Sequence, residues 1–134
     1  DPWSVNSLAQ VSGFACLEDP SYCDRVAQYI HDAREELIRR LEEIEGIRVL
    51  PSVANFLLCE ITRDGIGSAD VVEALAARRV LVRNASNFPG LGEGYFRVAV
   101  LTHELNRALA TELAGVMEGL VSKGVNGKPW NARA

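Results

Sequence analysis

The sequence predicts an α+β domain built as a two-layer sandwich, with elements in the order α-α-β-β-α-β-β-α and a small mixed or antiparallel sheet covered by helices. Three features carry that reading. Apolar residues step by three and four through residues 26–44 and again through 105–120, the spacing of a helix with one buried stripe. Short apolar or β-branched runs at 47–50, 54–61, 80–82 and 95–101 lie between turn residues or helix ends. The 134 residues suffice for one core, burying roughly two thirds of the unfolded chain's surface.

Pro2 and the candidate N-cap Ser4 open an apolar helix of about three turns through Val5, Leu8, Ala9, Ala15 and Leu17, interrupted by Gly13. The second helix starts at Tyr22 and carries Val26, Tyr29, Ile30, Ala33, Leu37, Leu41 and Ile44 on one face, with Gly46 as its stop. Glu35 and Glu36 precede Arg39 and Arg40 by four residues, pairs worth a few tenths of a kcal/mol each, so the charged side is a solvated face. Residues 47–50 form a short strand closed by Pro51 and Ser52, and residues 54–61 a longer one with Asn55 as its polar intruder. Asp64, Gly65 and Gly67 turn the chain. Ser68 then caps a helix over 69–79, whose Val71, Val72, Leu75 and Ala76 share a face, and Val80, Leu81 and Val82 follow as a strand. Residues 84–94, rich in Asn, Ser, Pro and Gly, form a loop, and Arg97 interrupts the strand at 95–101. Thr102 caps the last helix, with Glu104 in its first turn, and Leu105, Leu109, Leu113, Val116 and Leu120 make its apolar face. The division is therefore an apolar helical segment at 1–21, the domain proper at 22–121, and a flexible tail at 122–134.

Fourteen Lys and Arg against eighteen Asp and Glu leave a net charge of −4, so no excess positive field exists to hold nucleic acid or an anionic membrane. No apolar run approaches the roughly 20 residues of a membrane span. Three cysteines and no cleavable apolar leader point to a cytoplasmic protein without a disulfide framework. Cys16 and Cys23 are seven residues apart and zinc-ligand spacings are missing, so no metal site is expected and the cysteines read as small buried hydrophobes. Phosphate-loop, G-x-S-x-G and H-E-x-x-H patterns do not occur, which leaves hydrolase and nucleotide-binding functions unsupported.

Two arginines stand out. Arg83 ends the strand at 80–82 and Arg97 interrupts the next one, so a connecting loop can bring two guanidinium forks together around a carboxylate or phosphate. Otherwise Arg83 is a solvated strand end, and Arg97 an outward-facing residue or half of an ion pair. Asn55 satisfies backbone at a strand edge rather than a ligand; His31 and His103 read as surface or cap residues, and Trp3 and Tyr22 as core or interface anchors.

The segments PWSVNSLAQ at 2–10, PSVANFLL at 51–58, VLVRNASNFPGL at 80–91 and YFRVAV at 95–100, the last followed by Thr102, Glu104 and Asn106, carry a resemblance to a known family. Together they resemble the C-terminal part of fold-type I pyridoxal-phosphate enzymes, first the threonine-phosphate decarboxylases of cobalamin biosynthesis and next the histidinol-phosphate aminotransferases. The resemblance implies that Arg97 binds the substrate α-carboxylate, that Arg83 helps hold the substrate's anionic end, and that Asn6 lines the entrance. It also implies a preceding large domain, missing here, that holds pyridoxal phosphate through a lysine, an aspartate facing the pyridinium nitrogen and a phosphate cup. Lys123 and Lys128, the only lysines, follow the last helix, so this chain is expected to hold no cofactor, to contribute no catalytic residue and to be inactive alone. The expected partners are a small anionic amino-acid substrate, the missing domain and, in a homodimer, a second copy. The alternatives are a histidinol-phosphate-type aminotransferase, a non-catalytic amino-acid-binding or regulatory module, and a domain that self-associates through its apolar first helix.

Overall fold

The computed structural model describes residues 5–122. Trp3, Ser4, both lysines and the tail from 123 onward lie outside the described residues. The elements are α1 (Ser7–Glu18), α2 (Tyr22–Glu42), β1 (Ile47–Val49), β2 (Phe56–Ile61), α3 (Ser68–Ala77), β3 (Arg83–Asn84), β4 (Tyr95–Ala99) and α4 (His103–Ser122), in the predicted order. The sheet runs β1-β2-β4-β3, and every neighbouring pair is antiparallel. β2 and β3 are consequently parallel with β4 between them, and α3 makes the crossover of a split β-α-β unit.

Period-2 alternation sorts the sheet into two faces. Leu57, Cys59 and Ile61 of β2 and Phe96 and Val98 of β4 are buried, in one cluster with Leu37 and Leu41 of α2, Val71 and Leu75 of α3, and Leu113 and Val116 of α4. The alternate residues Leu58, Glu60, Tyr95, Arg97 and Ala99 remain partly or fully accessible. The helices therefore cover one face, which makes the two layers, and leave the other face open among the described residues.

Three local readings shift. α3 is capped by Gly67, whose N–H donates to Asp70 Oδ2 at 2.8 Å, so Ser68 lies inside the helix and is buried. At its other end Arg79 takes φ 64°, and the Val80 N–H closes back on the Leu75 carbonyl at 3.0 Å. That turn consumes the residues expected to be a strand. The chain joins the sheet only at Arg83, and Asn84 belongs to a strand rather than to the loop. In α4 the inward position falls to Asn106 while Leu105 is 52% exposed, because the amide side chain finds partners that a leucine cannot use. Asn106 Oδ1 accepts from the Leu101 N–H at 2.9 Å, and its Nδ2 donates to the carbonyls of Leu101 at 3.2 Å and Ala33 at 3.3 Å. One side chain thus ties the end of β4 and the middle of α2 to the start of α4.

The stripe of α2 is buried over Ala33, Leu37 and Leu41, but Tyr22, Val26 and Tyr29 nearer its start are exposed, and α1 buries no residue at all. These first turns stand outside the core. Tyr22 is accordingly no core anchor, and of the cysteines only Cys59 is buried, Cys16 being half-buried and Cys23 exposed. Burial pushes the Cys59 thiol up to about 12.

Two measurements check this packing. Asn106→Ala should cost about 2 kcal/mol in urea unfolding, since it strands the Leu101 N–H and two carbonyls that the amide serves; a change within experimental error would remove Asn106 as the tie. Thiol titration of the folded chain at pH 8 should leave Cys59 unmodified until denaturant is added, and modification before unfolding would contradict its burial.

Candidate anion-binding site on the open sheet face

The antiparallel register sets Arg83 directly opposite Arg97, so both side chains leave the sheet on the same side. Inward-facing Phe96 and Val98 fix that side for Arg97, and Asn84 fixes it for Arg83. The Asn84 Oδ1 accepts from the buried Ser68 hydroxyl at 3.1 Å and from the Ser86 N–H at 2.8 Å, which fastens β3 to the start of α3. Beside Arg83 lies a pocket of about 380 Å³, lined by Val82, Arg83, Asn84, Ser86 and Asn87.

Among the described residues neither Arg83 nor Arg97 has a carboxylate partner, whereas Arg25, Arg40, Arg48, Arg63, Arg78 and Arg107 each do. Arg39 and Arg79 also lack a carboxylate partner among the described residues, but Arg83 and Arg97 are the two such arginines that lie on the sheet. The Arg97 guanidinium carbon instead lies 4.7 Å from the centroid of the Phe56 ring, a cation–π contact. Like charges directly opposite each other in a sheet repel. A carboxylate or phosphate between the two would reverse that cost, because each guanidinium presents a planar fork to it. The register thus places Arg83 and Arg97 on one rung of the open face, while the Arg97 guanidinium leans over Phe56 of β2, on the side of β4 away from Arg83.

One rung along, Glu60 is held at both oxygens: Arg48 Nε donates to Oε2 and the Tyr95 hydroxyl to Oε1 at 2.9 Å. The hydrogen bond to Glu60 is the main reason both the Tyr95 hydroxyl and the Arg48 guanidinium titrate above their ordinary values.

The other candidates make contacts within the frame. Asn6 caps α1, its Oδ1 accepting from the Ala9 N–H at 2.8 Å, on an element that packs against α2 rather than in the sheet. The Asn55 carbonyl accepts from the Val100 N–H at 2.8 Å, a bond of its backbone rather than of its side chain. His103 Nδ1 meets Glu36 Oε2, and this contact, ahead of the one from Arg40, holds the Glu36 carboxyl below the usual carboxylate range. Sequence reasoning missed Arg34. It is 8% exposed, its Nη1 reaches the carbonyls of Val53 and Ala54 at 3.4 Å and its Nη2 lies 3.0 Å from His31 Nδ1, so it fastens the turn leading into Phe56. Its place between Ala33 and Leu37 on the helical wheel was the available signal. A larger cavity of about 460 Å³, bordered by Arg40, Ile44, Arg63, Ala110 and Met117, lies in the helix layer across the sheet from the Arg pair.

No protein-family model matches the sequence. The chain is similar to a threonine-phosphate decarboxylase of Salmonella typhimurium, 31% identical over 119 residues that make up 89% of this chain and 32% of that protein. It is also similar to a histidinol-phosphate aminotransferase of Caldanaerobacter subterraneus, 38% identical over 87% of this chain and 31% of that one. In structure it resembles the histidinol-phosphate aminotransferase of Clostridium acetobutylicum with a TM-score of 0.77 and 29% identity, over 90% of this chain and 36% of the other. The chain thus spans about a third of the length of the curated relatives it matches.

The unpaired rung has a measurable cost. Arg83→Met should raise stability at low ionic strength by a few tenths of a kcal/mol, with the gain fading in 0.5 M salt. A loss of stability at low salt would show that the two guanidiniums do not repel.

Proposed function

We propose that this chain is the substrate-side domain of a pyridoxal-phosphate-dependent enzyme acting on a phosphorylated amino acid, with decarboxylation of O-phospho-threonine as the leading reaction. Its homologues are threonine-phosphate decarboxylases and histidinol-phosphate aminotransferases, which depend on pyridoxal phosphate. The observation that carries the reading is the Arg83–Arg97 rung, which sets two arginines without carboxylate partners on one face of the sheet for a substrate with two anionic ends. Arg97, half-buried and seated on Phe56, takes the α-carboxylate in a bidentate grip. Arg83, more exposed and beside the polar pocket at 82–87, takes the phosphate.

The described residues include no lysine, so they offer no covalent anchor for the cofactor. Bound elsewhere in the parent enzyme, the cofactor supplies an electron sink. The part played by this chain is to bind and orient: the angle at which Arg97 holds the carboxylate selects which bond of the α-carbon is aligned for cleavage, the bond to the carboxylate or the bond to hydrogen.

Residues 22–121 form the small domain in this reading, and residues 1–21 dock on the large domain that holds the cofactor. What supports this is the apolar surface of α1, where Leu8 is 77% and Phe14 69% exposed. Asn6, at the start of that helix, lines the entrance to the site, and the assembled enzyme is a homodimer. No helix among the described residues is long and apolar enough to cross a membrane. The 38% identity to an aminotransferase and the 0.77 TM-score favour amino transfer as the second reading.

The test joins this segment to its upstream coding region and follows carbon dioxide release from O-phospho-threonine, with Arg97→Met expected to lower kcat/KM by at least a hundredfold. Amino transfer without carbon dioxide release would reject the decarboxylase in favour of the aminotransferase. Retention of either activity in Arg97→Met would remove the carboxylate role.

A further inference from the structure

On the open sheet face Arg97 has two diagonal neighbours across the β2–β4 pair. Its direct partner is Leu58; Phe56 stands opposite Ala99 on one side, and Glu60 stands opposite Tyr95 on the other. Diagonal positions in an antiparallel pair lie within reach of a long side chain. Arg97 therefore has a choice between an aromatic ring and a carboxylate, and electrostatics alone favours the carboxylate. It takes the ring. The reason lies on the neighbouring rung: Arg48, opposite Glu60 on β1, donates to Glu60 Oε2, and the Tyr95 hydroxyl donates to Oε1, so each oxygen already has a donor other than Arg97. Glu60 is the one carboxylate that the described strands place on this face.

We propose that Arg48 is a positioning residue for Arg97: with Tyr95 it occupies Glu60 and keeps that carboxylate from closing on Arg97, whose guanidinium stays on Phe56, open to an anion. The proposal rests on the reading that Arg97 holds an anion, and it adds the internal competitor that must be neutralised for it to do so. Without Arg48, Glu60 keeps only the Tyr95 bond and turns its freed oxygen to Arg97. Arg48 is itself largely exposed, so its substitution leaves the core intact.

The experiment uses the 134-residue chain, with the Arg97 Nε–H resonance as one readout and the Kd for O-phospho-L-threonine, measured by titration, as the other. In the wild type the resonance should carry the upfield displacement of a proton over an aromatic ring, lost in Phe56→Leu. Arg48→Met should shift it toward the position of a carboxylate-bound guanidinium and weaken O-phospho-L-threonine about fivefold, the scale of one partly exposed ion pair. Arg48→Met combined with Glu60→Gln should restore both values. An Arg97 resonance unmoved in Arg48→Met, or moved but not restored by Glu60→Gln, would overturn the proposal. If instead the wild type fails to bind O-phospho-L-threonine, or binds it equally well in Arg97→Met, the anion reading of Arg97 falls, while the resonances still decide whether Arg48 governs Glu60.

Discussion

Arg97 faces outward because Phe96 and Val98 face inward. In a strand the two cannot be separated, since a slip of one residue exchanges every side chain between the faces. The register that sets Cys59 opposite Phe96 and Leu57 opposite Val98 buries four side chains together, and that same register places Arg97 on the open face. The magnitudes settle which effect governs. Burying a phenylalanine stabilises by roughly 1.5–3 kcal/mol, whereas like charges on one rung cost well under about 1 kcal/mol. Core packing therefore keeps the two arginines on one rung in spite of their like charge, with the Arg97 guanidinium seated on Phe56.

Two polar side chains in the helix layer hold the strand ends. Asn106 grips the backbone just beyond β4, and Arg34 grips the turn just before β2. Both do so from buried positions, where an unmade hydrogen bond is expensive and an alternative geometry correspondingly disfavoured. The central strands are thus fixed along their length by the ladder and at one shared end by these two clamps. Phe56 and Arg97, the pair in cation–π contact, lie close to that end.

The element order and the core were legible because periodicity reports burial directly, as Ala33, Leu37 and Leu41 show. The arginines were legible as residue types, since charge inside an apolar strand is conspicuous. Their place on one rung depended on β3, and there local propensity misleads: Val80, Leu81 and Val82 are ideal strand formers, yet the left-handed turn at Arg79 delays the strand to Arg83. Asn106 was hidden by Leu105, because a hydrophobic stripe cannot show that an amide with three backbone partners outcompetes a leucine for the inside. The pairing of Glu60 with Arg48 was invisible for a different reason: the two are twelve residues apart, and only the hairpin register makes them neighbours.

The split β-α-β connection also has a kinetic side. β3 pairs with β4 alone, and β4 comes later in the chain, after β2, α3 and the loop at 85–94. An N-terminal stretch ending before residue 95 can form the β1–β2 hairpin, but β3 has no partner strand until β4 has been made. The Arg83–Arg97 rung itself closes a short loop, whereas the β2–β4 pairing, with Phe56 opposite Ala99, and the Asn106–Ala33 bond close much longer ones and cost more chain entropy. During synthesis Arg83 has no Arg97 opposite it until β4 has emerged, so a ligand that needs both arginines recognises chains that contain β4 and ignores shorter ones.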